Sequence, residues 1–201
     1  MSTRYLTVDE LKLYVRSELA VDDAFYEAAI NTAETIIDNT TGRRFDVASP
    51  TVSSARSYIP SGGCIQFIHD CVSIVSVVDN SATLISGTDY QAEPLNGLSD
   101  IGASVPYYAL RRLGYYYRKW FNWYGIPGAP TIVVTARWGW PAIPPEIREA
   151  CKIVAKDVFL QRDVAHGLIG VSDVGGIGAR LNPQVRDTLY SYAHPSSIVV
   201  G

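Results

Sequence analysis

Cysteine is scarce in this chain: Cys64, Cys71 and Cys151 are the three in 201 residues. They form no Cys-x-x-Cys pair and their number is odd, which argues against a disulfide framework and for folding in a reducing compartment. Histidine is equally rare, and the three, His69, His166 and His194, are scattered. A structural zinc site needs four convergent ligands. Cys64, His69, Asp70 and Cys71 lie close together, but no second cluster completes a set. No run of about 18 apolar residues exists, so no membrane span is expected. No cationic-apolar-small leader is read at the start, where Met1 to Leu6 runs directly into a helix signal. Excess positive charge is missing too. The formal net charge is −3, whereas a dedicated DNA-gripping protein is usually basic overall. Neither Gly-x-Ser-x-Gly nor Gly-Lys-Ser/Thr occurs. The Gly-rich stretch 167–178, "GLIGVSDVGGIG", follows a helix pattern rather than a strand and is read as a connector, not a phosphate loop. No enzyme motif stands, and no cofactor or metal is expected.

Hydrophobic residues are plentiful, at 47% against 18% charged, which is the composition of a globular chain. "LTVDELKLYVRSEL" opens with a capping box, Thr7 with Glu10 three residues on. A second helix is predicted from Asp22 or Asp23 to about Thr41, with Phe25, Ala29, Ala33, Ile36 and Ile37 as its apolar stripe and Gly42 as its stop. From Ser53 to Trp138 the apolar period becomes two. "SARSYIP", "CIQFIHD", "VSIVSVVD", "TLIS", "DYQAE", "PYYALRRL" and "TIVVTARW" read as six or seven antiparallel strands. Helix returns at Pro145 and runs to about Asp163, with Ile147, Ala150, Val154 and Val158 inward. Asn182-Pro183 starts a last helix carrying Val185, Leu189 and Tyr192. The predicted class is therefore α+β: a small helical bundle of four helices (1–50 and 139–192) with a large antiparallel β insertion (51–138) and a C-terminal tail (193–201).

Three stretches invite a functional reading. Pro106 to Gly125, "PYYALRRLGYYYRKWFNWYG", holds nine aromatics, four basic residues and no acidic one. It is read as a hairpin whose Tyr115, Tyr116, Tyr117, Arg118, Trp120, Trp123 and Tyr124 serve a subunit or partner interface, where Tyr, Trp and Arg are enriched. The alternative is a nucleic-acid surface, with aromatics stacking bases and Arg111, Arg112, Arg118 and Lys119 meeting phosphates. At 138–141, Trp-Gly-Trp-Pro makes a strand-to-helix corner. Trp138, Gly139, Trp140 and Pro141 are read as a packed structural corner, with an exposed ligand grip as the alternative. Residues 1–40 carry eight acidic against three basic side chains, either a solvated face or a surface that repels DNA.

Taken in order, these segments resemble the head-tail connector (adaptor) proteins of tailed bacteriophages. The likeness is carried by "YLTVDELKLYVRSELAVDDAFYEAAINTAETIIDNTTGRRF", by "VTARWGWPAIPPEIREACKIVAKDVFLQRD" and by "LNPQVRDTLYSY". It covers roughly 1–46 and 131–192, and the long β region departs from the smaller members of that family. The resemblance implies a non-enzymatic virion protein at the neck, assembled in the host cytoplasm. It implies a closed ring of the chain with itself, of twelve copies, docked under the portal protein and above a stopper or tail-completion protein. Genomic DNA would pass through the lumen without tight binding. The β-prone tail, with Ile198, Val199 and Val200, is expected to meet the portal. Asp9, Glu10, Glu18, Asp22 and Asp23 are candidates for a lumen face that keeps DNA mobile by screened repulsion.

Overall fold

The computed structural model describes residues 5–16, 23–97, 104–114, 119–120, 129–164 and 181–196. The chain divides into two compact units, Met1–Phe45 with Ile143–Gly201, and Asp46–Ala142.

In the first unit, α1 (Val8–Val15) starts at the capping box: the Glu10 amide donates to Thr7 Oγ1 at 3.2 Å and the Thr7 amide to Glu10 Oε2 at 2.9 Å. Helix α2 (Asp23–Thr41) buries Tyr26, Ala29, Ile30, Ala33 and Ile37, a stripe at three- and four-residue spacing. Phe25, expected on that stripe, is 56% exposed, and Tyr26 takes its place. Ala29, Ala33 and Ile37 are buried as expected, and at the start of the stripe Tyr26 stacks on Phe159 at 4.4 Å. Gly42 ends the helix with φ 64°, its amide donating to Asp38 O at 2.8 Å. Helix α3 (Pro145–Val164) packs on α2 through Ile147, Ala150, Cys151, Val154, Ala155 and Phe159. Helix α4 (Pro183–Ser191) is capped by Asn182, whose side chain accepts from the Gln184 amide, and it buries Val185 and Leu189. Phe45 closes this unit edge-on to both Tyr5 and Tyr192.

The second unit is a sheet of six strands: β1 (Ser54–Tyr58), β2 (Ile65–Asp79), β3 (Ala82–Leu84), β4 (Tyr90–Glu93), β5 (Tyr107–Arg112) and β6 (Ile132–Trp138). Their order is β1-β6-β2-β5-β4, with β3 paired to β2 off that path, and every strand pair is antiparallel. Asn80 and Ser81, both at positive φ, make the two-residue turn from β2 into β3. The core holds Ile68, Cys71, Val77, Tyr90, Leu110, Trp120, Ile132, Val134 and Ala136.

These strands overturn the picture of a small helical bundle with the sheet as its insertion. The molecule is α+β overall, built on a mostly antiparallel six-stranded sheet together with four helices among the described residues. The physical reason lies in β2. What reads as two short strands, "CIQFIHD" and "VSIVSVVD", is one fifteen-residue strand that pairs with β3, β5 and β6. That pairing lets the sheet close a hydrophobic core of its own.

Candidate functional site

The side chains brought together at one margin of the sheet are Arg56 and Tyr58 of β1, His69 of β2 and Trp138 of β6. Positions 56 and 58 share a strand face because side chains alternate. Register sets Arg56 beside Val134 and Tyr58 beside Ile132, at the rim of the core. Trp138 is held by its indole N–H, which donates to Ser54 O at 2.8 Å. The Arg56 guanidinium lies over the Trp138 ring, 4.5 Å from its centre. The His69 ring stands edge-on to the same indole at 6.2 Å.

A hydrogen-bonded link ties the tyrosine to the histidine. The His69 amide donates to Tyr58 Oη at 3.1 Å, and Tyr58 Oη lies 2.8 Å from His69 Nδ1. Burial pushes the Tyr58 phenol above its usual range. Burial, and then the Arg56 charge, push His69 below its usual range. At neutral pH the rim is therefore a neutral Tyr–His pair beside one cation stacked on an indole. Tyr, Trp and Arg are the residues that dominate binding hot spots. An exposed stacked cation of this kind contributes about 0.5–1 kcal/mol. The arrangement can grip a partner surface.

The helical unit offers a second surface of different chemistry. Leu13 is 81% exposed. With Tyr14 and Val15 it lines a groove rimmed by Glu10, Arg16, Lys152 and Lys156, and the Lys156 ammonium sits 5.7 Å above the Tyr14 ring.

The corner residues split between roles. Trp140 is buried, and its Nε1 donates to Asp70 Oδ2 at 3.0 Å. Trp138 is half-exposed and belongs to the rim. Gly139 joins them at φ 117°, and its amide donates to Asp70 O at 2.8 Å. A Cβ there would stand 2.5 Å from Asp46 O, so glycine is required. Pro141 is exposed.

Trp120 does not take the interface role expected of it. It is fully buried in the core, its Nε1 donating to Leu110 O at 3.2 Å, with the Arg112 guanidinium 5.0 Å from its ring. Its indole is too large an apolar body to leave in water when the sheet has a space for it. Tyr115, Tyr116, Tyr117, Arg118, Trp123 and Tyr124 lie outside the described residues, as do Ile198, Val199, Val200, Glu18, Asp22, His166 and the stretch 167–178. Of the acidic candidates that are described, Glu10 is engaged by Thr7 and by Arg148 Nη2 at 2.8 Å, and the backbone bond to Thr7 holds its carboxyl below the usual range. Asp23 pairs with Lys12, and Asp9 is exposed in the first turn of α1.

Two of the four basic candidates are engaged, while Lys119 is exposed. Arg111 pairs with Glu93, and Arg112 Nη2 meets Asp79 Oδ2 at 3.3 Å with both side chains nearly buried. Burial pushes the Asp79 carboxyl up, against the pull of Arg112. Among the described residues no group of three or more His, Cys, Asp or Glu could hold a metal ion, and no helix is long and apolar enough to cross a membrane. Cys71, weighed as a ligand, is buried, and desolvation drives its thiol up to about 12.

The rim escaped the sequence reading because its members lie far apart in the chain. The one local signal was the pair Arg56 and Tyr58 at alternate positions of a strand. No protein-family model matches this chain, and no curated protein matches it either.

Proposed function

We propose that the chain is a non-enzymatic structural subunit of a bacteriophage neck, a connector that repeats as a closed ring between the portal and a stopper or tail-completion protein. A head-to-tail ring needs two different, complementary surfaces on every subunit. The observation that carries the reading is that two surfaces of unlike chemistry are presented: the Arg56–Tyr58–His69–Trp138 rim on the sheet unit, and the Leu13–Tyr14 groove with its mixed margin of Glu10, Arg16, Lys152 and Lys156 on the helical unit. The portal-proximal position and the twelvefold copy number are what the resemblance to the connector family implies. Against nucleic-acid binding through 107–124, Arg111 and Arg112 already have carboxylate partners. A phosphate would have to displace those carboxylates.

Negative-stain imaging and native mass spectrometry of the purified chain, alone and with portal rings, test the proposal. The expected result is a closed ring that co-sediments with portal. A chain that stays monomeric at high concentration and ignores portal overturns it. A gel shift that weakens steeply with salt would favour the nucleic-acid reading instead.

A further inference from the structure

We infer that the outer edge of β1 receives an extended segment of a partner protein as an added strand, with a carboxylate on that strand facing Arg56. Three observations lead there. First, among the described residues β1 ends the strand order and pairs with β6 alone. Second, Pro50 to Ser57 are exposed without interruption, and the exposed side chains of Val52 and Ile59, at 65% and 56%, flank the strand. An open edge of this kind is a template for strand addition. Third, Arg56 has no carboxylate partner among the described residues. Its neighbours on the sheet each have a partner: Arg111 pairs with Glu93, Arg112 Nη2 with Asp79, and Arg137 donates to Ser73 Oγ and Pro50 O.

The occupant follows from charge and from the other edge. A twofold β1–β1 pairing centred on the strand would set Arg56 against its own copy, and like charges directly opposite destabilise a ladder. Pairing of β1 with β4 of another copy meets an edge in use at its start and an acidic side chain that is already engaged. The Ser86–Tyr90 bridge and the Gly87 amide donating to Tyr90 O at 2.8 Å occupy β4 at its first residue, and its one acidic side chain, Glu93, is already paired with Arg111. A strand from a different protein, with an acidic side chain at its centre and aliphatic ones at its ends, meets neither obstacle. Backbone hydrogen bonds supply the affinity of such an addition, and alternate side chains supply its specificity. Here the alternate side chains would lie along Arg56, Tyr58 and Trp138. The inference stands apart from the connector reading, since any acidic extended partner satisfies it.

The test uses the full chain and two synthetic peptides of alternating Thr and Val, one with Glu and one with Lys at the centre. Titration calorimetry measures affinity, and amide exchange read by mass spectrometry locates the contact. The Glu peptide should bind about tenfold or more tightly than the Lys peptide, because exchanging an attractive for a repulsive cross-strand pair is worth about that ratio. Arg56→Glu should invert the preference, Arg56→Lys should keep it, and new amide protection should fall within 52–59. Equal affinity of the two peptides, an unchanged preference in Arg56→Glu, protection elsewhere, or no binding of either peptide overturns the inference. In the last case Arg56 only guards the edge against pairing. Matching circular dichroism spectra of the variants establish that folding is intact.

Discussion

Trp138 and Trp140 stand two residues apart and end in different surroundings. On an unbroken strand they would share a face, but Gly139 at φ 117° turns the chain between them. One indole then lies under Arg56 and the other against the Asp70 carboxylate. The count of tryptophans at this corner was legible in the sequence, and so was the need for glycine. The division of labour was not, because it depends on Asp70, Ser54 and Arg56 from other strands. Trp120 is the converse case. Its basic, aromatic neighbourhood in the chain pointed outward, yet the residue fills the core. Removing a buried Trp costs about 3–5 kcal/mol, so Trp120→Ala should lower the unfolding free energy by that amount in urea titrations. A change below about 0.5 kcal/mol, typical of a surface site, would return Trp120 to the interface.

Helices were the legible elements because their ends carry local chemistry. Thr7 with Glu10, Gly42, Pro145 and Asn182-Pro183 each satisfy or terminate the backbone within a few residues. Strand extent was less so, since β2 is long enough to span two apolar runs and its register shifts near Cys71–Ser73 and Ile74–Ser76 blur the alternation. The C-terminal segment shows what a boundary error does to an experiment. Its start is tied to the helical unit: the His194 amide donates to Thr41 O at 2.7 Å, and His194 Nδ1 lies 2.6 Å from Ser196 Oγ. Deleting 193–201 would therefore remove native contacts together with the tail. Deleting 197–201 alone should leave the thermal midpoint within about 2 °C, a shift of a few tenths of a kcal/mol, while abolishing portal attachment in co-sedimentation. The longer deletion should lower the midpoint as well. Undiminished attachment after the shorter cut would remove the tail from the portal contact.

At the scale of the whole molecule, the question is whether the sheet depends on the helices. The sequence pattern made the helical pattern the core and the β region its appendage, because amphipathic helices announce themselves locally while a sheet core is assembled from distant strands. The sheet unit is nevertheless continuous in the chain, Asp46–Ala142, and its two ends are clasped. The Trp140 amide donates to Asp46 O at 2.8 Å, the Ala48 amide to Trp140 O at 2.9 Å, and Val47 bridges Trp140. Its apolar centre is drawn from β2, β4, β5 and β6 together with Trp120, and its length is that of an ordinary small domain. Expressed alone, 46–142 should give a β-type circular dichroism spectrum and one cooperative urea transition, with a stability of a few kcal/mol. The shorter segment 51–138 keeps all six strands and loses the clasp together with the buried Trp140. It should be weaker by about 3 kcal/mol or more, the usual cost of deleting a large buried aromatic. A non-cooperative 46–142 would mean that the sheet needs the helices after all. Equal stability of the two segments would mean that the corner residues do not hold it closed.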